Sequence, residues 1–202
     1  MYEVDVEDYP KLVLHVIPLS ISNPTKKSDL SENNVQLHQS LNQSLSDKIY
    51  SNGHHNFDGY TAYNKTEADF DAPSYLQIFR NGNIEYVWTN PFMVKRKEKR
   101  IPSLIFERSL LDKVRFYLNL QKYHLDVEPP IFIMLSLFGV AGYTMGENGI
   151  PIDRETLIIP EVMIEKFEVD VDKEMKDIFD VIWNAAGRPS SIHYNESGQW
   201  FG

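Results

Sequence analysis

Asn81-Gly82 stands in the middle of YLQIFRNGNIEYVW, residues 75–88, and no other stretch restricts the fold as tightly. An Asn-Gly pair between runs rich in aromatic and β-branched residues signals a β-hairpin, because both residues tolerate the positive φ of a tight turn. A two-residue loop pairs Phe79 with Ile84, Ile78 with Glu85, Gln77 with Tyr86, Leu76 with Val87 and Tyr75 with Trp88. Successive side chains of a strand alternate between faces. One face then carries Tyr75, Gln77, Phe79, Ile84, Tyr86 and Trp88. The other carries Leu76, Ile78 and Val87, with Arg80 and Glu85 as diagonal neighbours forming a cross-strand ion pair. Large apolar groups on both faces place the hairpin inside a sheet covered at least in part on both sides.

The flanking segments supply the rest of that sheet. Residues 12–19, LVLHVIPL, read as a buried strand bounded by Pro10 and Pro18, since proline cannot donate to a central ladder. Residues 57–63 read as another, with Gly59 marking a bulge or close approach. Three neighbouring strands with short links favour an antiparallel meander. The 21–56 stretch is rich in Ser, Asn and Gln and reads as a flexible polar insertion, with a short helix around residues 35–45. Ser103–His124 has apolar residues at helical spacing (Leu104, Leu111, Val114, Leu118), while Glu107, Arg108, Asp112, Lys113 and Arg115 read as its solvated side. Ile131–Phe138 is a short apolar run between turn formers, hence a buried strand. Residues 157–159 and 162–167 make a strand pair or one strand broken at Pro160. A last helix over 172–186, capped by Asp170 or Asp172, stops at Gly187 and Pro189. These elements predict an α+β fold: a mainly antiparallel sheet of about five to seven strands with two packed helices, in a single domain over residues 1–202.

Composition narrows the function classes. With 42% hydrophobic residues the 202-residue chain can bury a sizeable core, and its net charge of -9 opposes non-specific nucleic-acid binding. There is no cysteine, which removes disulfides and thiolate metal sites. No apolar run is long enough to span a bilayer and no leader is read at the start, so a cytoplasmic protein without membrane partners is expected.

Three groups of residues are candidates for function. His15, in the middle of its strand, with Asp58 and Glu85, would serve a metal-dependent hydrolase or nuclease, since His is the usual acid/base near neutral pH. Its alternative is a histidine holding one structural hydrogen bond. His54 and His55 are adjacent, so a strand points them to opposite faces and they match no established metal spacing; no metal or cofactor is expected. Lys95, Arg96, Lys97, Lys99 and Arg100 form a basic segment on an acidic chain and are the candidate nucleic-acid contacts; a solvated loop tip is the alternative. Tyr75, Phe79, Tyr86 and Trp88, on one face of the expected hairpin, are the candidate partner-binding surface if that face is open.

Several phrases together carry a resemblance: LVLHVIPLS, NFDGYTAY, YLQIFRNGNIEYV, IPSLIFERSLL, PIFIMLSLFGVAGYTM and TLIIPEVMIE. In this order they resemble the region downstream of the Schlafen AlbA_2-type DNA-binding domain in many uncharacterised bacterial proteins. No stretch resembles the AlbA_2 module itself. The resemblance therefore implies an association with nucleic-acid-directed systems and supplies no site residues. The reading that results is a non-catalytic accessory, sensing or protein-interaction domain of a DNA-directed bacterial regulatory or defence-type protein, with a protein partner or self-association. Nucleic-acid binding through the 95–100 segment and metal-dependent hydrolysis are the alternatives.

Overall fold

The computed structural model describes residues 9–19, 28–31, 37, 41, 52–63, 74–92, 98–147 and 149–202. Its main sheet is built from β1 (Lys11–Pro18), β2 (Asn52–His55), β3 (Gly59–Tyr63), β4 (Tyr75–Phe79), β5 (Ile84–Trp88), β7 (Ile131–Phe138), β9 (Thr156–Ile158) and β10 (Val162–Ile164). The order across the sheet is β10-β7-β1-β5-β4-β3-β2, with β9 beside β10 on the same flank of β7. Every pairing in it is antiparallel. The short strands β6 (Arg100–Ile101) and β8 (Thr144–Met145) pair in parallel outside it. The α-helices whose bounds lie among the described residues are α1 (Ser103–His124), α2 (Val171–Glu174) and α3 (Lys176–Ala185). The fold is α+β, as the patterning predicts, with β3-β4-β5 as the expected meander. Of the 21–56 stretch, Asn52–His55 is a strand, Leu37 and Leu41 are helical, and Leu30, Leu37 and Leu41 are buried in the core.

The first of the described strands lies inside the sheet, between β7 and β5. Alternation along β1 buries Leu12, Leu14, Val16 and Pro18 and leaves Lys11, Val13, His15 and Ile17 half-buried on the other face. Register carries this division across: Leu14 lies opposite Tyr86 on one side and Leu135 on the other. On the buried face α1 lays down Phe106, Leu110, Val114 and Tyr117. Phe106 stacks on Trp88 with ring centres 6.1 Å apart, and Tyr117 meets Tyr86 at 5.7 Å. Each such side chain contributes roughly 1.5–3 kcal/mol by leaving water. Near the end of α1, Gln121 Nε2 donates to Val16 O at 3.1 Å and Gly82 O at 2.9 Å, tying the helix to β1 and the hairpin turn.

The hairpin register departs from the two-residue expectation. Tyr75 lies opposite Val87, Leu76 opposite Tyr86, Gln77 opposite Glu85 and Ile78 opposite Ile84. Gly82 N–H donates to Phe79 O, and Phe79 N–H to Asn83 O, both at 2.9 Å, so the loop holds three residues, Arg80-Asn81-Gly82. Gly82 has φ +86°, the left-handed conformation that ends such a loop. A one-residue slip turns every side chain of one strand to the opposite face. Tyr86 and Trp88 therefore lie in the core, and Tyr75 and Phe79 lie on the far face. The four aromatics do not share a surface. Arg80 leaves the ladder too: its Nε donates to Phe57 O and its guanidinium NH2 to Asn56 O, both at 3.2 Å, and Glu85 takes other partners.

The chain's second half closes around α1. β9 and β10, on either side of Pro160, both pair with β7, so they are one sheet edge broken by a proline. Asp170 caps α2, its carboxylate accepting from Lys173 N–H at 3.4 Å. Arg115 on α1 pairs with Asp172 on α2. After α3, Tyr194 and Trp200 form a bridge, and Tyr194 O–H donates to Asp172 O at 2.7 Å. Trp200 is docked while Phe201 is exposed.

Candidate functional site: the outer face of the sheet

The face opposite α1 is built from alternate residues of the same strands. At its middle, one row runs Met134, His15, Glu85, Gln77, Thr61 and His54 across β7, β1, β5, β4, β3 and β2. His15 Nε2 donates to Glu85 Oε2 at 2.9 Å, and Tyr75 O–H donates to Glu85 Oε1 at 2.7 Å. The hydrogen bond from His15 holds the Glu85 carboxyl below its ordinary value of 4.5; burial opposes this and the Tyr75 bond adds to it. Burial, then the bond to Glu85 and its charge, push the Tyr75 hydroxyl up. Further along the row, Asn56 Nδ2 reaches Thr61 Oγ1 at 2.8 Å and Gln77 Oε1 at 2.7 Å, and Thr61 O–H donates to Gln77 Oε1. Most polar groups of this half of the face thus satisfy one another.

The other half is apolar and open. Met134 on β7, Ile158 on β9 and Met163 on β10 are 40%, 79% and 45% exposed, more than a covering element would leave. Ile158 lies opposite Ser136 and Met163 opposite Phe132, so both are diagonal neighbours of Met134. Alternation keeps Leu135, Leu157 and Ile164 pointing into the core from the same strands.

The structure sorts the sequence candidates. It brings His15 and Glu85 together, while Asp58 sits exposed in the β2–β3 turn, where its backbone carbonyl accepts from Arg80 N–H at 2.9 Å. His54 and His55 take opposite faces, edge-on to Tyr63 and Tyr60. Among the described residues no group of acidic and histidine side chains has the arrangement of a metal site. Lys95, Arg96 and Lys97 lie outside the described residues. Lys99 Nζ donates to Ala141 O at 3.0 Å beside the Tyr143 ring, and Arg100 forms loose, exposed pairs with Glu98 and Glu147 at 3.7 and 3.6 Å. Such surface pairs are weak.

One residue read from the sequence as solvated is fully buried. Glu107 Oε1 accepts from Trp183 Nε1–H at 2.7 Å and from Ser191 O–H at 2.8 Å, and Oε2 accepts from Trp200 Nε1–H at 3.1 Å. Burial pushes its carboxyl above the ordinary 4.5, partly offset by these three donors and by nearby His193. His193 Nε2 in turn lies 3.2 Å from Ser103 Oγ. Glu107 is a helix turn after Ser103 and a turn before Leu111, on the apolar stripe of α1; a carboxylate at that position was the available signal. Lys113 is likewise buried, over the Tyr86 ring. The Glu107 cluster joins α1, α3 and the C-terminal segment through these bonds.

Compared with family models, curated proteins and solved structures, the chain matches none. No helix among the described residues is long and apolar enough to cross a membrane.

Proposed function

We propose that the chain is a non-catalytic interaction module that binds a protein partner through the outer face of its sheet. The observation that carries this is the exposure of Met134, Ile158 and Met163 as neighbours on one face of the sheet. Exposed apolar clusters on a sheet are costly to keep in water and mark contact surfaces, and methionine adapts to varied partners. The resemblance to regions that follow AlbA_2-type domains supports an accessory role in a DNA-directed bacterial protein. A photo-crosslinking residue at position 158, with one at Tyr123 on the exposed side of α1 as control, tests the reading in cells. A discrete crosslinked protein from 158 and none from Tyr123 is expected; equal or absent crosslinking from both positions would remove it.

A second reading, a hydrolase with His15 as general base, has the His15–Glu85 bond in its favour, since an orienting carboxylate is what such a base needs. A screen of ester and phosphodiester substrates with divalent metals decides it. Activity lost in both His15→Ala and Glu85→Gln would support it, and equal background from all three proteins would end it.

A further inference from the structure

We infer that the β7–β10 end of the outer face takes an amphipathic helix of a partner protein, apolar on one side and carrying lysines or arginines along its flanks. The inference rests on the interaction reading and specifies the partner's chemistry.

Charge complementarity carries it. Val162 and Ile164 turn to the core from β10 and Met163 to the outer side, and the residues at either end of the strand, Glu161 and Glu165, are exposed like Met163. The backbone positions of these two glutamates, about 13 Å apart in extended chain, bracket Met163, with Phe132 opposite it on β7 and Met134 diagonal to it. Among the paired positions of this face the one lysine or arginine is Lys11, opposite Phe138 at the far end of β7. Six residues of strand, roughly 20 Å, separate Phe138 from Phe132. Beside the patch the exposed Glu161 and Glu165 outnumber the neighbouring exposed cation, Lys166, so its local charge is negative.

That arrangement selects among occupants. A second copy would bring its own Glu161 and Glu165 to the same patch, on a chain whose net charge is -9. Anionic lipid and nucleic acid are repelled for the same reason. Strand addition at this edge is opposed by the three-residue strands β9 and β10 and the Pro160 break between them. A helix lying on the face needs no edge hydrogen bonds. Its apolar stripe covers Met134, Ile158 and Met163, and cations seven residues apart, which share one side of a helix at a rise of about 10.5 Å, reach both carboxylates through their long side chains.

The test uses two synthetic helices with the same leucine stripe, one flanked by lysines and the other by glutamates, titrated against the full chain by fluorescence anisotropy. The lysine peptide is expected to bind and the glutamate peptide not. The double variant Glu161→Lys/Glu165→Lys should weaken lysine-peptide binding about tenfold or more and transfer binding to the glutamate peptide. Ile158→Ser should weaken it as well, with thermal midpoints confirming that both variants fold. Equal binding of the two peptides, binding unchanged by the double variant, absence of binding, or dimerisation of the chain through residue 158 would each overturn the inference. Crosslinking from position 158 to a partner lacking such a helix would overturn it too, while leaving the interaction reading standing.

Discussion

The indole N–H of Trp183 donates to Glu107 Oε1 over 2.7 Å, joining two residues 76 apart in sequence. Removing the acceptor leaves the Trp183 and Ser191 donors buried with nothing in its place. Glu107→Leu is expected to cost about 3 kcal/mol, and Glu107→Gln, which keeps one accepting oxygen, about 1 kcal/mol. Urea unfolding at matched slope measures both. A smaller loss for Leu than for Gln would show that the cost of burying the charge outweighs the three bonds.

The carboxyls of Glu107 and Glu85 give stability opposite dependences on pH. Burial raises Glu107, so its contribution is full below the ordinary 4.5 and is lost as pH rises through its folded value. The His15 bond lowers Glu85, so its contribution is present above 4.5 and is lost as pH falls through its folded value. Thermal midpoints against pH should show a smaller acid-side decline in Glu85→Gln than in the parent chain. In Glu107→Gln the decline above pH 4.5 should be the smaller one. An unchanged slope in either variant contradicts the corresponding linkage.

Gly82 combines φ +86° with a tight neighbour, since a Cβ there would meet Val127 Cγ2 at 2.6 Å. Gly82→Ala is expected to destabilise by about 1–2 kcal/mol from the left-handed backbone alone, and crowding of Val127 adds to this. Chemical denaturation reads it directly.

Tyr86 and Tyr75 neighbour the same sheet positions yet should behave differently. Tyr86→Ala opens the core beside Tyr117 and should cost about 3–5 kcal/mol. Tyr75→Phe removes only the hydroxyl bond to Glu85, for about 1 kcal/mol. Comparable losses would restore the face assignment of the two-residue register.

The same residue pair explains what was and was not legible in the sequence. Asn81-Gly82 suits a two-residue loop and also a three-residue loop that ends on a left-handed glycine, so it marks the hairpin without choosing its register. The choice is made by tertiary packing: only the observed register puts Tyr86 and Trp88 under α1 together with Leu76 and Ile78. The helix over Ser103–His124 and the strand over Ile131–Phe138 are readable in type and approximate extent because period and turn formers agree there. The apolar half of the outer face was not readable, because it depends on β9 and β10 lining up on one flank of β7. Local pattern names strands joined by short links, but not which strands distant in sequence become neighbours. Glu107 was misread because surrounding charges suggested solvent, although its position lies on the apolar stripe.

β1 lies inside the sheet, with a neighbour on each edge, but emerges first among the described strands. The bond between His15 and Glu85 spans 70 residues, and the other neighbour, β7, lies further along still. At synthesis rates of about 5–20 residues per second, β1 waits roughly 4–14 seconds for β5. Throughout that interval both of its edges and its Leu12, Leu14 and Val16 face lack their sheet partners. A chain of this topology depends during synthesis on whatever shields a lone apolar strand. Its yield in cells is therefore expected to respond to chaperone supply and translation speed more than its finished stability would indicate.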